Sequence, residues 1–248
     1  MLTPLRILSL DPANLGSADA VGVARCDDGF EYALKDAVAC TTTPHDEWFC
    51  TELAQALGIA CPPCAVVEDG IGGHYFGSRW EGGVITLEPW HELVVRGDIP
   101  FAVAAPVLSR VLAFDLFVYN VDRHLGNYLP RLTRGGAGIL TMDFSRAWTM
   151  HGFPPPSLPM PDHENTIFWH RTLKAAIIGD FVDLNVVNAF LDNLAAIDVP
   201  QIERIIDRGA PAWISAPDRK AVLDWWGSPA RIARIDEIRK GIQDGSYL

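Results

Sequence analysis

The chain has 248 residues, of which 49% are hydrophobic and 21% charged, with a formal net charge of −11. That is enough chain to bury a substantial core, and the acidic balance argues against gripping nucleic acid through a basic surface, where phosphate neutralisation dominates. No apolar stretch is expected to span a bilayer, and Met1-Leu2-Thr3-Pro4-Leu5-Arg6 is not expected to begin a signal peptide; five cysteines, an odd number, are expected as reduced thiols in the cytoplasm.

In chain order, the first candidate feature is the run of small residues from Asn14 to Gly22, with Ser17 at its middle. It lacks a Gly-x-Gly-x-x-Gly pattern but could let backbone N–H groups approach phosphate. Residues 20–26 and 31–36 alternate around Asp27-Asp28-Gly29, as two strands joined by a tight turn do, which leaves Lys35 at a strand end. The next helix is bounded by Thr41-Thr42-Thr43-Pro44 and by Gly58. Within it Glu47 shares the face of Cys50, Ala54 and Leu57, whereas Glu52 is displaced by about half a turn. Cys61 and Cys64 have C-x-x-C spacing without a second Cys/His pair, and read as packing or turn thiols rather than a zinc site. A strand and linker over 74–83 place Trp80 and Glu81 together, and 84–100 reads as a connector of limited definition.

The densest chemistry follows. Residues 101–119 carry apolar side chains with helical recurrence, so residues 120–127 form the loop leaving a buried helix. After Tyr128-Leu129-Pro130, a Gly-rich turn at 134–138 separates two short apolar segments, a hairpin that would return Asp143 beside Asn127. Phosphoryl transfer needs one carboxylate beside the attacking hydroxyl and oxygen ligands that hold Mg²⁺ against the phosphates. Asp122, Asn127 and Asp143 are the right residue types for those tasks.

The Pro-rich run 152–161 reads as an extended loop in a substrate-facing place. His151, His163 and His170 are too irregularly spaced for a metal cage. Helices are expected over 166–178, 182–197, 200–208, 217–226 and 229–243. In the last, Ile232, Ile235, Ile238 and Ile242 form the expected buried stripe, with Arg231, Arg234, Arg239 and Lys240 as a basic exterior.

In motif order the chain resembles the HipA-like kinases and, more distantly, the phosphatidylinositol 3/4-kinases. The resemblance rests on Asn120-x-Asp122-Arg123-His124-x-x-Asn127 and on Asp143-Phe144, with Ser145 where many kinases have Gly. It also fits Glu47, because these kinases carry an Asn-Glu pair six residues before a Leu-Ala step, and Leu53-Ala54 stands in that relation to Glu47. The resemblance implies an α+β, bilobal protein-kinase-like fold, with a small β-rich N-terminal lobe over 1–83 and a larger helical lobe over 84–248. It implies ATP, with Mg²⁺ or Mn²⁺ held by Asn127 and Asp143. Asp122 would act on the acceptor hydroxyl and His124 would brace the loop. Lys35, partnered by Glu47, would reach the phosphates, and Ser17, Trp80 and Glu81 would line the nucleotide. The implied acceptor is a hydroxyl-bearing substrate, first of all a protein Ser or Thr, and the implied partner is a cognate antitoxin or other regulatory protein. Two other classes stay open. One is a nucleotide-binding pseudokinase or interaction module; the other is a metal-dependent phosphohydrolase built on Asp122, His124 and Asp143, which needs neither Lys35 nor Glu47.

Overall fold

The computed structural model describes residues 3–12, 19–38, 40–80, 89–133 and 136–248. Five strands, β1 (Leu5–Asp11), β2 (Ala20–Cys26), β3 (Glu31–Lys35), β4 (Cys64–Glu68) and β5 (His74–Arg79), close into a barrel in the order β1-β2-β3-β5-β4. The β2–β3 hairpin is the one expected from alternation. Asp28 fixes its turn by accepting from the Phe30 N–H at 3.0 Å and the Tyr32 hydroxyl at 2.8 Å, while Gly29 supplies a φ of +86°. β1 and β4 were not foreseen, because β1 is exposed along most of its length and shows no clean alternation. Their short parallel pairing, Leu5 with Val67 and Arg6 with Glu68, closes the barrel around Ala24, Cys26, Tyr32, Leu34 and Val67.

Helix α1 (Thr43–Ala56) joins the barrel to the rest of the molecule. Trp48 packs with Val66 and Phe76 of the barrel and with Trp213, and its indole N–H donates to the Ile205 carbonyl at 2.8 Å. Phe49, Cys50 and Leu53 enter the main core. Because α1 is buried on nearly every side, Asp46, Glu47 and Thr51 are inside along with its apolar residues. A helix in such a place carries little amphipathic signal.

The main core is helical. The segment read as a connector contains a further helix, α2 (Trp90–Arg96), whose Trp90 is buried and donates to the Leu125 carbonyl at 3.0 Å. Helix α3 (Phe101–Val118) corrects the expectation that no stretch could span a bilayer: it has 18 residues and a mean hydropathy of 1.9. It is a core helix, with 67% of that stretch buried and α5 (Leu184–Ala196) and α8 (Pro229–Gln243) packed against it. The expected hairpin follows as β6 (Tyr128–Thr133) and β7 (Gly136–Thr141), pairing Tyr128 with Thr141. Helix α4 (Asn165–Thr172) runs into one π-helical turn, Leu173–Ile177, and α6 (Val199–Arg208) and α7 (Ala216–Trp226) complete the set. Asp198 and Gln201 form a reciprocal capping box at the start of α6.

The last helix departs from its expected orientation. Arg231 and Arg234 are buried rather than exterior, and Ile232 is 39% exposed, while Ile235, Ile238 and Ile242 are buried as expected. The guanidinium of Arg231 donates to the carbonyls of Trp226, Leu194 and Ala195, and that of Arg234 to Leu116, Phe117 and Pro156. Apart from that of Pro156, these carbonyls close the ends of α7, α5 and α3, where helices leave unsatisfied acceptors and partial negative charge. The two arginines thus cap three helices from inside. The Pro-rich run is tied down as well, by Arg234 at Pro156 and by burial of Leu158 and Met160.

Candidate functional site

Three chain segments meet at Lys35. Its Nζ lies 2.5 Å from Glu47 Oε1 and 2.8 Å from Asp143 Oδ1, so the end of β3, the second turn of α1 and the turn after β7 share one ammonium. Lys35 and Glu47 are buried, with 9% and 1% of their surface exposed. Burial opposes the Lys35 charge, but the two carboxylates more than offset it and raise its pKa. The same ammonium overcomes burial at Asp143 and holds that carboxyl well below the usual range. At Glu47 burial prevails and pushes the carboxyl up to about 7, with Lys35 pulling against it. Glu52 points elsewhere, to Arg208 at 2.8 Å.

Asp143 has a φ of +65°, a conformation that non-glycine residues adopt at a cost of about 1 to 3 kcal/mol unless their surroundings impose it. Here they do. Its Oδ1 accepts from the Ser145 hydroxyl at 2.8 Å and the Ser145 N–H at 3.3 Å, in addition to Lys35. A glycine at 145 would lack that hydroxyl. Phe144 is fully buried and meets Phe114 of α3 edge to face at 5.5 Å.

The loop 120–127 is braced by a buried cluster that sequence reasoning missed. Asp115, inside the last turn of α3, accepts two bonds from the Arg123 guanidinium, at 2.8 and 3.0 Å, and one from the Asn120 amide at 3.0 Å. Arg123 also donates to the Met142 carbonyl and lies 4.8 Å from the centre of the Phe144 ring. It therefore locks helix end, loop and Asp143 segment together, and it is fully buried. The single carboxylate of Asp115 in the otherwise apolar stretch from Val111 to Val118 was the available signal. His124 is half-buried, and its Nδ1 accepts from the Gly126 N–H at 3.0 Å, which caps the short 3₁₀ turn Leu125–Asn127.

Asn127 donates through Nδ2 to the Asp122 carbonyl at 2.9 Å, which turns its amide oxygen the other way. The hairpin brings it toward Asp143, because the Met142 N–H donates to the Asn127 carbonyl at 3.1 Å. One amide oxygen and one ionised carboxylate suit Mg²⁺, which completes its shell with phosphate oxygens and water. Among the described residues no group of three His, Cys, Asp or Glu side chains forms a protein-only cage. Asp122 is half-buried, and its Oδ1 accepts from the Asn165 amide at 2.6 Å. Trp80 follows β5, is 52% exposed and is anchored by its N–H to the Glu31 carbonyl at 2.7 Å. Ser17 and Glu81 lie outside the described residues, as does the expected boundary between residues 83 and 84.

Against solved structures, the chain superposes on the Helicobacter pylori proinflammatory kinase CtkA with a TM-score of 0.59 over 94% of this chain and 95% of that one, at 13% identity. The chain has a HipA-like kinase fold. HipA of Shewanella oneidensis MR-1, solved as a toxin–antitoxin complex with HipB and operator DNA, matches with a TM-score of 0.51 at 12% identity. That match covers 85% of this chain and 60% of HipA. No protein-family model and no curated protein sequence matches the chain.

Proposed function

We propose that the chain is a two-lobed, ATP-dependent kinase that transfers the γ-phosphoryl group to a hydroxyl, first of all on a protein Ser or Thr. The observation that carries this reading is the convergence of Lys35, Glu47 and Asp143, residues up to 108 positions apart, on one buried ion-pair triad. A phosphohydrolase built on Asp122, His124 and Asp143 would have no use for the Lys35–Glu47 pair.

In this reading Lys35 holds the ATP phosphates and Glu47 holds Lys35. Asn127 and Asp143 would hold Mg²⁺, which when bound neutralises charge on the phosphate oxygens. Asp122 orients the acceptor hydroxyl and receives its proton as the new P–O bond forms and ADP departs. Trp80, Glu81 and Ser17 are assigned to the nucleotide, and His124 to shaping the loop. A regulatory protein partner, of the kind HipB is in the HipA complex, belongs to the same proposal.

The test is ATP turnover by purified protein with and without Mg²⁺, with mass spectrometry of phosphorylated sites. Lys35→Met should weaken ATP binding by roughly tenfold or more, since a charge-assisted contact contributes about 1.5 to 3 kcal/mol. Glu47→Gln should act in the same direction but less, and Glu52→Gln should do little. Asp143→Asn and Asn127→Ala should weaken Mg²⁺-dependent nucleotide binding, whereas Asp122→Asn should suppress transfer with binding retained. Unchanged affinity and turnover in Lys35→Met would refute the kinase reading. Nucleotide binding without turnover by the wild type would favour a pseudokinase.

A further inference from the structure

Asn165 belongs to none of the motifs that point to phosphoryl transfer, yet it makes the one side-chain contact described for the Asp122 carboxylate. It opens α4, and its Nδ2 donates to Asp122 Oδ1 at 2.6 Å. The neighbouring Thr166 stitches the same helical turn to the loop backbone. Its N–H donates to the Val121 carbonyl at 3.2 Å, its hydroxyl donates to the Asn120 carbonyl, and its Oγ1 accepts from the Arg123 N–H at 2.9 Å.

The two residues differ in a way that separates structure from function. Thr166 is wholly buried, so its bonds hold the loop in place. Asn165 is exposed and serves no capping role, since the N-cap position is Glu164 and no side chain caps this helix. Asparagine is a poor helix former, and its usual place is a cap or turn. Its amide is instead engaged by a carboxylate 43 positions away in sequence.

We propose that Asn165 is the positioning residue for Asp122, fixing the rotation of its carboxylate so that Oδ2 receives the hydrogen bond of the acceptor hydroxyl. This inference rests on the kinase reading given above. Asp122 is held at both ends: its N–H donates to Asn120 Oδ1 at 3.2 Å, and its Oδ1 accepts from Asn165. With Oδ1 occupied, the carboxylate cannot turn about its last bond without losing that contact, and Oδ2 is the oxygen left for substrate. In the transfer step a lone pair of the acceptor oxygen forms the bond to the γ-phosphorus. The bond from phosphorus to the bridging oxygen breaks, its electron pair leaves with ADP, and the hydroxyl proton passes to Asp122 Oδ2. An amide donor suits this task because it steadies the carboxylate without neutralising it, as a lysine or arginine in the same place would.

The experiment compares wild type, Asn165→Ala, Asn165→Gln, Asn165→Asp and Thr166→Val, with MgATP and dephosphorylated casein as the acceptor probe. Melting temperature is measured alongside kcat and the KM for each substrate. Asn165→Ala should lower kcat by roughly tenfold to a hundredfold, part of the effect of a positioned general base. The KM for ATP should stay within twofold and the melting temperature should be unchanged. Asn165→Gln, which keeps the amide donor, should recover part of kcat, and Asn165→Asp, which sets one carboxylate against another, should lose at least as much as alanine. Thr166→Val should lower the melting temperature instead. An active wild type with kcat unchanged in Asn165→Ala overturns the positioning role alone, as does a change confined to the KM for casein. A wild type that transfers phosphate neither to casein nor to itself overturns the kinase reading and this inference with it.

Discussion

Replacing Lys35 by Met tests the buried triad through stability, independently of any substrate. The wild-type chain balances one ammonium against Glu47 and Asp143, with Glu47 1% exposed. Removing one partner from a buried ion pair costs about 3 to 5 kcal/mol, because the carboxyl left behind must either stay charged without a partner or take up a proton against its ordinary pKa. Here the cost should depend on pH. Burial already pushes Glu47 from 4.5 up to about 7 against the pull of Lys35, and without Lys35 only the hydrogen bond from the Phe144 backbone still pulls it down while Asp143 pushes it further up. In the variant Glu47 therefore stays protonated in the folded state from pH 6 to 8, while in the unfolded chain it is ionised. A proton taken up on folding makes stability fall as pH rises, by about 1.4 kcal/mol per unit. Wild type, titrating near 7, follows about half of that fall, so the gap between variant and wild type should widen by about 1.4 kcal/mol between pH 6 and 8. Urea denaturation at pH 6, 7 and 8 measures it. The double variant Lys35→Met/Glu47→Gln, which carries no buried carboxyl at 47, should regain much of the loss and lose the added pH dependence. A loss below about 1 kcal/mol at pH 8, or one that does not change with pH, would refute the reasoning.

Arg123→Met should destabilise the chain by about 3 to 5 kcal/mol in urea, because Asp115 would be left buried without its bidentate partner; Arg123→Lys should recover less than half, since an ammonium cannot reproduce the fork. Asp46 is buried, accepts from the Thr149 N–H and hydroxyl at 3.1 and 2.6 Å, and is pushed by burial up to about 7. Its raised pKa favours folding at low pH, and that contribution is lost as pH rises through 7, so Asp46→Asn should raise the melting temperature at pH 8 and give no gain at pH 4. Ser145→Gly should weaken Mg²⁺-dependent ATP binding by roughly threefold to tenfold, in calorimetry, by removing the hydroxyl that pins Asp143 and freeing a turn held at φ +65°.

The sequence alone determined the features that depend on neighbours in the chain. Alternation around Asp27-Asp28-Gly29 was sufficient for the β2–β3 hairpin, and the apolar runs flanking a Gly-rich turn were sufficient for β6 and β7. Those two hairpins place Lys35 at a strand end and return Met142 to Asn127, so the main candidate residues were legible before any packing was known. The choice of Glu47 over Glu52 was legible too, because two residues five apart on a helix point in different directions. Tertiary structure decided what depends on distant partners. β1 alternates only in two short pieces, Leu5-Arg6-Ile7 and Leu8-Ser9-Leu10, which fall out of step at the register shift between Ile7 and Ser9, and it becomes a strand because β2 and β4 supply partners for its backbone. Arg231 and Arg234 look like solvent-facing charges until the ends of α3, α5 and α7 present their carbonyls to them. Nothing local names the partner of Asp115 or Asn165: each becomes meaningful through a side chain brought beside it by the closing of the fold, and a one-dimensional spacing cannot encode that contact.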